Sequence, residues 1–329
     1  MMALSRSITT PTALRATAQY NGEGYAPGHI TGFFTIHMSK DPLSSGSTGA
    51  GLCLKEGVIT EVTAVESDRT ELTMESNNVP LPSFPTCESV LKRLLSGKPM
   101  RVTAKQTSNL PANYGYGVSG ASALSLAIAL NEALDLNLSD EEAGQAAHVA
   151  EVENLTGLGD VSAQLVGGLE ARLKPGAPGI GEVKRLPFPH DLIVITSPVF
   201  PFPTSRMITE ERYVKKINPL GSAALSSFLP SPSIENFMHQ SRVFWDGVGI
   251  ADESVRRVIR IFESAGIPSP SAKKGVVFGV VPRDDLKRVA SRLVPGTFSK
   301  LGGDLPPVVY DPSERLMLIL SEISTRGAC

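Results

Sequence analysis

An α+β chain of two domains is predicted by three observations. Strand patterning fills the first fifth, from Ala18 to about Thr73; an apolar-all-round helix follows at Gly120–Leu134; and short strands alternate with helices in the second half. A helix with no polar face is buried, and segregated strands and helices mark layered α+β packing. The 329 residues exceed what one core usually serves, so domains at 18–175 and 182–329 are expected behind an N-terminal extension at 1–17.

The elements follow in order. Ile30–His37, Gly51–Lys55, Val58–Glu66 and Arg69–Met74 have strand composition, broken by Gly or Asp. Three prolines make 77–85 a loop, and Cys87–Leu95 is a helix with Val90, Leu91, Leu94 and Leu95 on one stripe. Met100–Lys105 returns to strand before the buried helix. Ser139 and Glu142 have capping-box spacing, opening a helix that runs to about Leu155, and a short helix starts at Asp160 and stops at Gly167–Gly168. Leu169–Leu173 is hairpin-like, and the Pro- and Gly-rich 174–181 is the expected boundary loop. Beyond it lie strands at Leu192–Thr196, Gly275–Val281 and Leu316–Leu320, with helices at Glu210–Ile217, Ile234–Val248, Ser254–Ala265 and Asp284–Leu293. Phe237, Phe244 and Trp245 form an aromatic stripe that is either core or a homodimer interface.

Charge and composition exclude several function classes. Thirty-one Lys plus Arg against 33 Asp plus Glu give no positive field for a nucleic acid backbone. No apolar run reaches the roughly 18 residues of a membrane span, and the polar start lacks a secretory core. Cys53, Cys87 and Cys329 are too scattered for a disulfide framework or metal knuckle, so a cytoplasmic location is expected.

The chemistry concentrates in NYGYGVSGASA at 113–123, where glycines run straight into the buried helix. Glycines let backbone N–H groups approach phosphate oxygens, and the helix N-terminus favours an anion. Gly115-x-Gly117-x-x-Gly120 matches a dinucleotide fingerprint literally, but polar 106–113 with Pro111 is not the buried strand such a site needs. No Walker loop is present, and the partial match to a serine nucleophile elbow at Ser119 lacks a compelling His and acid. Glu151, Glu153 and Asp160, the last on a Gly-flanked turn, follow closely. Amides, oxygen ligands for Mg²⁺ and a carboxylate near an acceptor hydroxyl are the inventory of phosphoryl transfer.

These segments resemble the GHMP superfamily of small-molecule kinases, and within it the archaeal pantoate kinases. The likeness is carried by YAPGHITGFF at 25–34, DPLSSGSTGAGL at 41–52, GYGVSGASAL at 115–124 and AHVAEVENLTGLGDVSAQ at 147–164. It implies a ribosomal-protein-S5-like N-terminal domain, a ferredoxin-like C-terminal domain and ATP-dependent phosphorylation of pantoate for coenzyme A synthesis. The alternatives are a kinase of a homoserine-, mevalonate- or shikimate-type alcohol and a nucleotide-binding regulator without turnover. Carried onto this chain, Gly115, Gly117, Val118, Ser119, Gly120, Ala121 and Ser122 cradle the ATP phosphates, and Asp160 is the base. Glu151 and Ser119 hold Mg²⁺, with Glu153 and Ser122 as alternatives. His29, Ser45, Ser47 and Arg206 are candidates for the acceptor. A third glycine motif survives only at 271–275, where Lys273 and Lys274 are phosphate contacts or a solvated turn.

Overall fold

The computed structural model describes residues 18–300 and 305–329; the extension expected at 1–17 lies outside them. Its first half runs β1 (Gln19–Phe34), β2 (Gly49–Glu66), β3 (Glu71–Ser76), β4 (Val79–Pro80), α1 (Pro85–Leu94), β5 (Met100–Thr107), α2 (Val118–Leu134), α3 (Asp140–Glu153), α4 (Asp160–Val166), β6 (Leu169–Lys174) and β7 (Glu182–Leu186). Its second half runs β8 (Leu192–Pro198), α5 (Thr204–Thr209), α6 (Glu211–Phe228), α7 (Ile234–Val248), α8 (Glu253–Ala265), β9 (Ser271–Lys273), β10 (Val276–Pro282), α9 (Leu286–Leu293), α10 (Pro295–Lys300), β11 (Val308–Asp311) and β12 (Leu316–Glu322).

Among the described residues the first sheet has seven strands in the order β4-β3-β5-β2-β6-β7, with β1 paired along β2; the second has five, β11-β12-β8-β10-β9. The strands expected at Gly51–Lys55 and Val58–Glu66 are one long β2, and β1 starts eleven residues before the expected Ile30. Gly22 and Gly24, which resemble turn signals, serve close packing instead: a Cβ there would stand 2.3 Å from the Ala129 carbonyl oxygen and 2.2 Å from that of Ser125 on α2. The register shifts between Pro27 and Gly28, a bulge that re-aims the residues after it.

Helix α2 is buried nearly all round, as its composition predicts. The capping box at α3 is complete, with Ser139 accepting from the Glu142 N–H and Glu142 accepting from the Ser139 N–H. The helix expected to stop at Ile217 continues to Phe228 through Pro219. β7 lies beyond the expected boundary loop, yet it pairs with β6 and extends the first sheet to Leu186.

One apolar cluster joins the two sheets. Ile30, Phe33 and Leu52 from the first half pack with Phe228, Phe237, Phe244, Phe278 and Ile319 from the second. Trp245 is buried in it, its ring 5.0 Å from Phe244 and 6.2 Å from Phe34, so the aromatic stripe is core and not a free dimer surface. Each such buried side chain contributes about 1.5–3 kcal/mol relative to exposure. Two smaller clusters lie under α1–α3 and under α8–α9. None of the described helices is long and apolar enough to cross a membrane.

Candidate active site

The glycine loop sets one wall of a cleft. Gly117 sits at φ +66, a left-handed value that suits glycine, and ends the loop at the N-terminus of α2. That terminus has no side-chain cap, so its first-turn N–H groups are available to an anion. The loop is fixed from behind: His29 donates its backbone N–H to the Tyr116 carbonyl at 2.8 Å, and Gln164 donates its side-chain N–H to the Gly117 carbonyl at 2.9 Å. Val118 and Ser119 line the cleft with Gly115 and Gly117, while Gly120 and Ala121 are buried where α2 begins.

Glu151 stands over this terminus. It accepts from the Ser119 hydroxyl at 2.5 Å and from the Thr156 hydroxyl at 2.6 Å. Burial raises its pKa to about 7, against the opposing pull of those two hydrogen bonds. Its second oxygen sits against glycine: a Cβ on Gly157 would stand 2.0 Å from Glu151 Oε2, and one on Gly120 would stand 3.3 Å from it. Glu153 points elsewhere and pairs with the exposed Arg93. Ser122 is a turn deeper in α2, where its carbonyl accepts from Gln106. The structure thus gives Glu151 to Ser119, and brings neither Glu153 nor Ser122 to that point. Among the described residues no three His, Cys, Asp or Glu side chains converge as a metal cage. A hydroxyl and one carboxylate suit a hard cation that is also held by phosphate oxygens and water.

The opposite wall is a chain of buried charge. Asp160, at the first position of α4, lies 2.6 Å from His29 Nδ1 and 3.3 Å from Lys273 Nζ. His29 Nε2 lies 3.0 Å from Glu170, which pairs in turn with Arg172, and Arg172 Nε donates to the Ser47 hydroxyl at 3.2 Å. Burial alone would raise the Asp160 carboxyl, but Lys273, the His29 hydrogen bond and Lys274 outweigh it and hold the group well below the usual carboxylate range. Gly51 makes room for the imidazole, since a Cβ there would stand 2.2 Å from Nε2.

Two cavities meet at this wall. The loop-side cavity is lined by Gly115, Gly117, Ser119, Glu151 and Thr156; the other by Phe34, Ser47, Arg172, Met207, Ile208 and Trp245. Asp160, Thr204 and Lys274 line both.

Two of the residues expected at the acceptor lie apart. Arg206 is exposed, paired with Glu210 four residues on and set over the Phe202 ring, a local pairing visible in the i,i+4 spacing. The Ser45 hydroxyl bonds within its own loop, to the Ser39 backbone, and the Ser45 carbonyl takes the buried His148 Nε2 at 2.9 Å. His148 therefore anchors the loop and does not sit at the surface. Ser47 lines the second cavity beside Arg172, whereas His29 is wholly buried, lines neither cavity and bridges Asp160 and Glu170. Glu170 and Arg172 are additions, and Lys273 and Lys274, named in the sequence as phosphate contacts or a solvated turn, join them at the cleft. Charges at alternate positions 170 and 172, between Leu169, Ala171 and Leu173, put both on one face of β6, a signal available in the sequence. The lysine pair is buried, with Lys273 3% and Lys274 8% exposed, and is not a solvated turn.

The family model for the GHMP kinases N terminal domain matches residues 86–168. The chain is 32% identical over 269 residues to a pantoate kinase of Methanocaldococcus jannaschii, covering 82% of this chain and 96% of that one. It superposes on a solved phosphotransferase related to the CoA biosynthesis pathway with a TM-score of 0.78 and 26% identity, over 94% of this chain and 98% of the other. A mevalonate diphosphate decarboxylase from Staphylococcus aureus superposes at 0.69 with 15% identity, over 95% and 98%, a likeness of fold alone.

Proposed function

This chain belongs to the GHMP kinases and, among them, to the pantoate kinases, and we propose that it transfers the γ-phosphoryl of ATP to the 4-hydroxyl of (R)-pantoate, yielding (R)-4-phosphopantoate for coenzyme A synthesis. The observation that carries this reading is the junction of the two cavities at Asp160, Thr204 and Lys274. A nucleotide on the glycine-loop side and a small alcohol on the other would meet there, end to end.

The uncapped α2 terminus and the loop amides receive the phosphates. Ser119 and Glu151, whose hydroxyl and carboxylate already meet at 2.5 Å, would hold Mg²⁺. When bound, the ion neutralises charge on the phosphate oxygens. Asp160, kept ionised by Lys273 and His29, accepts a hydrogen bond from the acceptor hydroxyl and aims its oxygen at the phosphorus. With so low a pKa the carboxylate is an orienting group first and a weak base second, which suits a loose transition state that needs little proton removal.

Pantoate carries a carboxylate and a gem-dimethyl group. Arg172, fixed by Glu170 and Ser47, is the cation for the first; Phe34, Met207, Ile208 and Trp245 are the apolar wall for the second. The unpaired Cys53, Cys87 and Cys329 favour a reducing, cytoplasmic setting. The test is ADP release from purified protein with Mg-ATP and, separately, pantoate, mevalonate, homoserine and shikimate. Release with pantoate alone is expected; equal release with all, or with none, would overturn the assignment.

A further inference from the structure

β9 and β10 form a hairpin in which Lys273 pairs with Val276, leaving Lys274 and Gly275 as the turn. Lys274 has φ +55, the left-handed region that glycine or asparagine enters far more readily than lysine. A strained backbone held at a cleft commonly marks a functional placement. Here it turns an ammonium inward, where its one hydrogen bond among the described residues is to the Thr204 hydroxyl, with no carboxylate in ion-pair range. Lys273, by contrast, is engaged by the His29 carbonyl and Asp160. Burial, then the adjacent Lys273 charge, press Lys274 down to about 8, as befits a cation short of an anionic partner. An ammonium has three donors and is expensive to bury unpaired. Its position on both cavities calls for an anion with several oxygens lying between them.

We propose that Lys274 is a catalytic residue that contacts the oxygens of the phosphoryl group as it crosses from nucleotide to acceptor, with Thr204 holding the ammonium and Lys273 positioning Asp160. The inference rests on the kinase reading but not on which alcohol is the acceptor. In the step, the acceptor oxygen forms the new bond to the γ-phosphorus, and the bond from that phosphorus to the β–γ bridging oxygen breaks, its electron pair staying on ADP. The hydroxyl proton leaves past Asp160 to the product phosphate or to solvent, and Lys274 keeps its own protons throughout. A fixed cation at the transferring oxygens is electrostatic stabilisation already in place before reaction.

Lys274→Gly separates this role from a structural one, because glycine relieves the positive φ while removing the ammonium. The expected variant unfolds at or above the wild-type temperature and binds Mg-ADP within about threefold of wild type. Its kcat falls by about 10²–10³-fold, with a matching loss in the affinity gained on adding aluminium fluoride to Mg-ADP. Lys274→Arg should restore part of both. A Lys274→Gly variant with near-normal kcat and undiminished aluminium fluoride binding overturns the proposal, as does a variant that merely loses stability while both readouts per folded molecule persist. If the wild type phosphorylates none of the alcohols, the pantoate assignment fails, and the aluminium fluoride comparison still decides for or against Lys274.

Discussion

The two walls of the cleft are built from different material. The phosphate wall comes from one stretch, Gly115 to Asp160, and works through backbone amides, hydroxyls and a single metal-side carboxylate. The acceptor wall gathers His29 from β1, Glu170 and Arg172 from β6 and the lysines of the β9–β10 hairpin, and works through buried charge. Amides at a helix terminus are positioned by local chain geometry, whereas buried charges must each find a partner across the fold. The first wall therefore tolerates change in its surroundings, and the second transmits any loss along the whole chain of pairs.

The sharpest way to break the contrast is at Asp160, where the walls meet. Asp160→Asn should cut turnover by about 10²–10⁴-fold in a coupled ADP assay while calorimetry still shows nucleotide binding. On the phosphate wall, Glu151→Gln keeps the shape and removes the charge. Titration of Mg²⁺ against activity should show an affinity lower by at least about 10–100-fold, the loss typical even of partners just outside a metal's own ligands. On the acceptor wall, Arg172→Lys should raise the KM for pantoate by about tenfold or more, with the KM for ATP little changed, since a charge-assisted hydrogen bond is the part removed. An unchanged KM would take Arg172 out of substrate binding.

Two smaller effects sharpen the comparison. Because the Glu151 pKa is raised in the fold to about 7, its contribution to stability is present below about 4.5, the ordinary value, and is lost as pH rises through about 7. Without Mg²⁺, the melting temperature of the wild type should fall across that window relative to Glu151→Gln, and added Mg²⁺ should abolish the difference. Glu153→Gln should do almost nothing, within about 0.5 kcal/mol in stability and with kcat intact, because its exposed pair with Arg93 is worth little. A large effect there would reverse the choice between the two glutamates.

The same contrast explains what could be read from the sequence. The loop, α2, the capping box of α3 and Asp160 at a helix start are contiguous patterns, and the structure places them as their residue types dictate. Glu151 could not be separated from Glu153 by composition; their hundred-degree steps around α3 separate them, one inward to Ser119 and one outward to Arg93. Lys273 and Lys274 were indistinguishable from a solvated turn because their partners, the His29 carbonyl, Asp160 and Thr204, are distant in sequence. Gly22 and Gly24 of β1 lie ahead of the expected start at Ile30, and they let α2 approach the strand without interrupting it. The boundary loop is a loop, yet the strand after it returns to the first sheet, since pairing with β6 is a tertiary matter.

The apolar cluster shared by the two sheets has a consequence for how the enzyme can move and fold. Beyond the cluster that each half keeps to itself, Ile30, Phe33 and Leu52 are covered by α6 and α7 and pack in one cluster with Phe278 of β10, so the faces where the halves meet are complete only together. Chains cut between Leu186 and Leu192 would each display an oily face, and the shared cluster couples the unfolding of the halves. The cleft floor is that same interior. Substrate capture must then come from rearrangement of loops and side chains at its rim, because swinging the halves apart would amount to partial denaturation.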